Sequence, residues 1–385
     1  MSRTRKIALG FAVVLAAGVV AAPGLADRWM NVVTGHSIPV SERAKALHQR
    51  LFVADLHADT ALWGRDLLKR ASRGHVDVPR LVDGGVALQA FTIVTKTPRN
   101  LNIEKNTADT DNIRLLAIIS RWPPRTWSSL MERALFEASR VTNAAERSDG
   151  FFTVIRSAAD LDAFEAARAQ SKIARTAGFI GVEGAHALEG NLANLDRLYD
   201  AGVRMMAPTH FFDTEIGGSA HGTSHDGLTP LGREWVARME AKKMVIDLAH
   251  ASARTIEDVL KLATRPVVVS HTGVRGTCDN QRNLSDDQLR AISDRGGLIG
   301  IGVWETAVCG DDARAIAKAI AHAVNLAGID HVALGSDFDG AVAAPFDVAG
   351  MPQITQALLD IGFDETKIER VMGGNVRRVL ERLLP

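Results

Sequence analysis

Eight short apolar runs, separated for the most part by helical stretches, constrain the fold of this chain more than any other feature of its sequence. The runs are almost continuous in Val, Ile, Leu, Met and Ala, as in strands that are buried on both faces of a parallel sheet. Strand–helix alternation repeated eight times predicts an α/β fold, a (β/α)8 TIM barrel. The runs are residues 52–55, 86–94, 178–182, 203–208, 244–248, 266–270, 298–303 and 332–336.

The connection after the second run is unusually long, from residue 95 to residue 177. Its helical patterns cover 108–121, 128–146 and 157–169. They predict an elaborated insertion on the barrel and not a second domain. Residues 27–45 are expected to form a linker, and residues 46–385 a single domain.

The first 26 residues have the pattern of an export signal. Arg3, Arg5 and Lys6 precede an uncharged, apolar run of 20 residues, 7–26, and a basic segment followed by an apolar one is typical of such signals. The small residues at the end of the run favour a cleaved signal peptide, but the run is also long enough to be an N-terminal membrane anchor. Both alternatives predict a body exported to the cell envelope, periplasmic and either soluble or anchored to the inner membrane.

The composition excludes several classes of protein. Lys and Arg together number 45 and so do Asp and Glu, which leaves no net charge and argues against nucleic acid or an acidic membrane surface as a partner. A hydrophobic content of 46% and a charged content of 23% exclude disorder as the main state. The two cysteines, Cys278 and Cys309, are too few for a disulfide scaffold. An oxidising compartment would permit a bond between them, but the sequence does not show one.

Metal-binding side chains stand at the ends of the predicted strands. His57 and Asp59 are two residues apart on an extended segment, so both point to the same side. The carboxyl ends of the strands form the rim at which TIM barrels build their active sites. The remaining candidates come at or just after the ends of strands three, four, five, six and eight and are Glu183, His210, His250, His271 and Asp337.

A cluster of several imidazole and carboxylate groups is typical of a zinc site. Manganese or cobalt could bind the same groups, but the pattern indicates them less specifically. Several such ligands around a shared carboxylate suit two ions better than one. No Lys follows strand four to carry a bridging carbamate, so Glu183 is the better candidate for the bridge. No GxSxG or GxxxxGK[ST] segment is present, which argues against a serine hydrolase or a P-loop nucleotide site.

At these residues the chain resembles the membrane dipeptidase (renal dipeptidase) family, metallopeptidase family M19, over about residues 45–383. The segment 210–222 resembles the exported bacterial branch of that family. Several separated segments in order carry the resemblance: 55–59 (DLHAD), 181–186 (GVEGAH), 208–210 (PTH), 227–233 (GLTPLGR), 246–250 (IDLAH), 269–271 (VSH), 282–286 (RNLSD), 328–332 (GIDHV), 335–340 (GSDFDG) and 373–375 (GGN).

The resemblance implies a barrel of the metal-dependent hydrolase type that binds two Zn2+ ions per chain. By motif, His57 and Asp59 would bind one zinc, His250 and His271 the other, and Glu183 would bridge them. The implied activity is hydrolysis of free dipeptides, including those with a C-terminal D-residue, by a hydroxide held between the metals. A homodimer is common in the family, and the sequence marks no interface for one.

Three further residues would contact the substrate if the resemblance holds. His210 would stabilise the developing oxyanion, Arg282 would hold the free carboxylate of the dipeptide, and Asp337 would carry a proton from the attacking water to the leaving amine. Asp55 and Asp339 are expected to support their neighbours.

Two alternatives to the dipeptidase stay open at this point. A related amidohydrolase or deacylase that acts on N-acylated amino acids or cyclic amides could use the same ligands. A non-catalytic envelope binding protein could retain the barrel, although a proton carrier such as Asp337 would then have no purpose.

Overall fold

A computed structural model describes residues 21–171 and 174–385. Most of the predicted export signal, residues 1–20, lies outside the described residues. Of the part that the structure describes, no helix combines the length and the apolar character needed to cross a bilayer.

Eleven strands are present in the described chain. They are β1 (Val32–Val33), β2 (Val53–Ala58), β3 (Val86–Ile93), β4 (Phe152–Val154), β5 (Thr176–Val182), β6 (Val203–Met206), β7 (Val245–Ile246), β8 (Val268–Thr272), β9 (Leu298–Ile301), β10 (Val332–Leu334) and β11 (Ala343–Ala344).

Eight of these strands form one parallel sheet in the order β7-β6-β5-β3-β2-β10-β9-β8. Its two end strands meet where Asp247 forms a parallel bridge with Val268, and the Leu248 amide donates to the Val268 carbonyl at 2.7 Å. The strands are those that the sequence predicts, with bounds shifted by a few residues. The predicted α/β, TIM-barrel-like class is therefore confirmed.

Helices connect the strands and cover the outside of the barrel. They are α1 (residues 21–30 as described), α2 (Glu42–His48), α3 (Val78–Asp83), α4 (Asn112–Ile119), α5 (Leu130–Arg147), α6 (Ala158–Gln170), α7 (Asn194–Asp200), α8 (Pro230–Ala241), α9 (Ala253–Leu262), α10 (Asp286–Asp294), α11 (Glu305–Val308), α12 (Ala313–Ala327), α13 (Pro352–Asp360), α14 (Glu365–Glu369) and α15 (Asn375–Leu383). Polar caps set where many of them begin. In α10, Ser285 accepts from the Gln288 amide while the Gln288 side chain accepts from the Ser285 amide, a reciprocal cap that contributes about 1 kcal/mol.

The long connection after β3 carries α4, α5, α6 and the short strand β4. Strand β4 pairs with β5 outside the eight-strand order. The predicted helical insertion is thus present on the barrel, with one additional strand that the sequence pattern does not indicate.

Residues 27–45, expected to be a linker, contact the barrel at several points. Asp27 is buried and pairs with Arg65 at 3.1 Å and with Arg73 at 2.8 Å. Strand β1 pairs with β11, and the Ile38 amide donates to Gln353 Oε1 at 2.7 Å. These contacts place the segment beside the loops that follow β2 and β10.

Candidate metal centre

The predicted site residues meet at the carboxyl end of the barrel. We call them the rim cluster. All are buried except Asp337, whose side chain is 13% exposed. The rim cluster consists of His57, Asp59, Glu183, His210, His250, His271, Arg282 and Asp337.

One group of ligand atoms forms around His57. Its Nε2 lies 3.4 Å from Asp59 Oδ1 and 3.6 Å from Glu183 Oε1. The Thr92 hydroxyl donates to the same oxygen of Asp59, Oδ1, at 2.6 Å. The hydroxyl of Thr92 thus fixes the Asp59 carboxylate while the carboxylate faces His57.

A second group also forms around Glu183. Its Oε1 lies 3.0 Å from His250 Nε2 and 3.4 Å from His271 Nε2, and the two Nε2 atoms are 3.0 Å apart. Glu183 Oε2 lies 3.1 Å from His210 Nε2. One carboxylate is therefore shared by both groups and also reaches His210.

Ser270 orients two of the imidazoles. Its Oγ lies 2.9 Å from His57 Nδ1 and 3.0 Å from His271 Nδ1. A hydroxyl has one hydrogen, so at least one of the two rings must donate its Nδ1 proton and, when neutral, present a bare Nε2 to the cluster. Asp247 supports this arrangement because its Oδ1 accepts from the Ser270 amide at 2.8 Å.

Arg282 lies beside the second group on the loop that follows β8. Its Nη2 donates to the His271 carbonyl at 3.0 Å, and the guanidinium lies 5.6 Å from the centre of the Trp304 ring. A disulfide joins Cys278, on the same loop, to Cys309. The disulfide therefore anchors the loop on the N-terminal side of Arg282.

Asp337 completes the cluster from the end of β10, with Oδ1 4.0 Å from His57 Nε2. Its backbone and that of His250 are left-handed, both with φ of 61°, a conformation that is uncommon for residues other than glycine and concentrates at functional sites. Asp55 holds the start of this loop, since its carboxylate accepts from the Ser336 amide at 2.7 Å and hydroxyl at 2.6 Å.

The electrostatics of the cluster favour bound positive charge. Burial by itself would lower the pKa of His57, but the carboxylates of Glu183 and Asp59 outweigh it and raise that pKa to about 10. Burial raises the pKa of Glu183 well above its ordinary value, and it raises the pKa of Asp337 to about 7; His57 opposes both shifts. A bound divalent cation would neutralise the charge of these carboxylates, as the proton on His57 does, and would displace that proton.

A second, independent observation also indicates that these side chains bind metal ions. His57 Nε2 and Glu183 Oε1 are buried and make no hydrogen bond to any residue that the structure describes. Buried polar atoms are rarely left unpaired unless they have a catalytic or ligand-binding purpose. Three groups could each hold an ion: His57 with Asp59 and Glu183; Glu183 with His250 and His271; and His57 with His271 and Asp337.

Other histidines of the sequence fall outside the cluster in different ways. His221 is buried and packs 5.0 Å from the His250 ring, with Nδ1 2.6 Å from the Ile103 carbonyl. His186 is buried against Phe212, and burial lowers its pKa to about 3. His225 is exposed. Sequence reasoning did not single out Ser270, although its position directly before His271 was a usable signal.

The chain is similar to known proteins over most of its length. A model of the family described as membrane dipeptidase (peptidase family M19) matches residues 41–383. Dipeptidase aclJ of Aspergillus oryzae is 29% identical over 352 residues, which cover 86% of this chain and 78% of that protein. Dipeptidase 3 of Mus musculus is 28% identical over 364 residues, which cover 89% of this chain and 66% of that protein.

Solved structures are similar over a comparable length. The dipeptidase AC, a metallopeptidase of family M19, is 25% identical with a TM-score of 0.72, covering 86% of this chain and 99% of that chain. A metallopeptidase from Rhodobacter sphaeroides bound to a phosphinate mimic of the dipeptide L-Ala-D-Ala is 25% identical with a TM-score of 0.69, at the same coverage.

Proposed function

The chain belongs to the membrane dipeptidase family, peptidase family M19, and from this premise we propose that it is a zinc-dependent dipeptidase that binds two ions. The family makes it a metal-dependent dipeptidase; the identity and number of the metals, the roles of individual residues and the substrate stereochemistry are the proposal. Export to the cell envelope, predicted from residues 1–26, is part of the same proposal.

The observation that carries the proposal is the sharing of Glu183 by two groups of ligands. Ligand atoms around one tetrahedral zinc lie roughly 3.3 Å apart, given metal–ligand distances of about 2.0–2.1 Å. The three separations among Glu183 Oε1, His250 Nε2 and His271 Nε2 are 3.0, 3.0 and 3.4 Å. We therefore assign His57, Asp59 and Glu183 to one ion, and Glu183, His250 and His271 to the other.

The bound ions would lower the pKa of a water molecule and polarise the substrate carbonyl. The chain itself supplies the remaining chemistry. His210, which touches Glu183 through Nε2, would donate to the carbonyl oxygen as negative charge develops there. Arg282 would bind the terminal carboxylate with its forked guanidinium, which limits the substrate to a dipeptide. Asp337 would accept a proton from the attacking water and pass it to the leaving amine.

Dipeptides with a C-terminal D-residue are included among the proposed substrates. The support is the Rhodobacter sphaeroides relative, whose structure contains a mimic of L-Ala-D-Ala. In an envelope enzyme, peptides released by peptidoglycan turnover would supply such substrates.

Hydrolysis of a small substrate panel by the full-length, zinc-loaded chain tests the proposal. We expect cleavage of L-Ala-L-Ala and L-Ala-D-Ala and no cleavage of N-acetyl-L-Ala, because the site is proposed to recognise a free dipeptide. Release of alanine is the measurement. Cleavage of N-acetyl-L-Ala alone would support the deacylase alternative, and turnover of none of the three would contradict the dipeptidase.

Replacement of Arg282 by Ala is expected to lower kcat/KM for L-Ala-L-Ala by about 30- to 1,000-fold, mainly through KM. The reason is that a buried, charge-assisted contact with the substrate carboxylate contributes about 2–4 kcal/mol. Steady-state kinetics with a zinc determination on the same sample provide the measurement. Lys at this position should recover only part of the loss, since it cannot form the forked contact.

Arg290→Ala is the matched control for Arg282. Arg290 lies on α10, is half exposed and pairs with Asp287 at 3.2 Å, so its loss should leave both constants unchanged. An Arg282→Ala variant with full zinc content and unchanged KM would contradict the carboxylate role.

A further inference from the structure

A cavity of about 550 Å³ opens on to the rim cluster, which is within the range of small-molecule sites, about 300–1,000 Å³. Its charged lining residues, among those that the structure describes, are Asp59, Glu183, Arg282 and Asp337, and all belong to the rim cluster. Much of the remaining surface is apolar, and we call it the apolar wall. It includes Met30, Leu62, Trp63, Val94, Ile113, Leu115, Leu116 and Ile119.

The apolar wall faces Arg282 across the mouth of the barrel. Arg282 lies on the loop after β8, whereas Val94 directly follows β3 and helix α4 lies in the connection after β3. In the closed order of strands, β3 is four strands away from β8 in either direction. The guanidinium and α4 therefore approach the cavity from opposite sides, with the proposed metal ligands between them.

Two residues of the wall are exposed although they are large and apolar. Leu115 is 55% exposed and Met30 is 47% exposed, and both line the cavity. Apolar side chains grouped around a cavity mouth and left in water are typical of a surface that a ligand covers. Leu116, beside them, packs against a small buried cluster that contains Ile113 and Trp122.

We propose that the apolar wall receives the amino-terminal side chain of the dipeptide, so that the enzyme prefers substrates with a large aliphatic or aromatic residue at that position. The inference rests on the proposed function: once Arg282 holds the carboxylate, the amino-terminal residue extends across the metal ligands towards α4. An apolar side chain there would displace water from apolar surface, whereas a carboxylate would lose its hydration without gaining a partner.

A series of dipeptides with a constant C-terminal residue tests this preference. For the full-length, zinc-loaded chain, we expect kcat/KM for L-Leu-L-Ala and L-Phe-L-Ala to exceed that for Gly-L-Ala and L-Asp-L-Ala by about tenfold or more, the scale of discrimination in apolar pockets. Equal values across the series, with hydrolysis intact, would overturn the inference and leave the dipeptidase standing. Absence of hydrolysis throughout would contradict the dipeptidase itself.

Two positions on α4 make a matched pair of variants. Leu115 lines the cavity and Ile118 does not, yet both are exposed, at 55% and 39%. We expect Leu115→Glu to lower the ratio of kcat/KM for L-Leu-L-Ala over L-Lys-L-Ala about tenfold, because a carboxylate at the wall attracts the lysine side chain. Ile118→Glu should leave that ratio unchanged. An equal change in both variants would overturn the assignment of the wall.

Discussion

Glu183→Gln is expected to reduce kcat/KM for dipeptides by on the order of 10³-fold or more. The carboxylate lies 3.0 Å from His250 and 3.6 Å from His57, so it is the one group that both proposed metal sites share. An amide keeps the shape of the side chain but not the negative charge needed between two cations. Zinc content measured beside kinetics should fall below two ions per chain.

The same substitution has an opposite expected effect on folding once a chelator has removed the metal. Glu183 and Asp59 are then two buried carboxylates in one cluster, and replacing one of them with a neutral amide removes the free-energy cost of burying its charge. The melting temperature of the chelated Glu183→Gln variant should be at least that of the chelated wild type. A lower value would mean that the carboxylate is structural.

Glu189→Gln is the control, since that residue accepts from the Leu130 amide outside the rim cluster. It should retain both zinc ions and full activity. A Glu183→Gln variant that keeps two ions and activity within tenfold of wild type would contradict the bridging role.

The rim cluster could be predicted because it depends on local patterns. Parallel strands place their carboxyl ends at one edge, so a His or Asp that directly follows an apolar run has a predictable location. His57 and Asp59, two residues apart, illustrate this: their side chains lie together because the segment is extended. The family resemblance then suggested a role for each residue, and these roles remain predictions.

The surroundings of the cluster could not be predicted in the same way. Helix α4 was expected from its pattern, but its position over the cavity depends on contacts with residues distant in sequence, such as Leu62 and Trp63. Ion pairs across long separations have no local signature either. Asp27, in the expected linker, reaches Arg65, which in turn pairs with Asp339 at 2.7 Å, two residues from Asp337. Strand β4, with three residues, is too short for its pattern to be distinctive.

Asp337→Asn is expected to lower kcat by about 10²- to 10⁴-fold, the range for removal of a general acid–base group, with KM changed little. Its carboxylate lies at the cavity and 4.0 Å from His57. Asp337 is assigned to neither of the two proposed ions, so the zinc content should stay at two ions. Loss of zinc together with activity would instead indicate that Asp337 is a metal ligand.

The pH dependence separates the proton carrier from a merely structural Asp337. Burial raises the pKa of this carboxyl to about 7, and cations bound beside it would lower that value. The group must be deprotonated to accept a proton, so wild-type kcat should fall as the pH drops through its pKa, whereas the remaining kcat of Asp337→Asn should lack this acidic limb. If the variant keeps the same acidic limb with only a smaller kcat, another group carries the proton and Asp337 acts by positioning its neighbours.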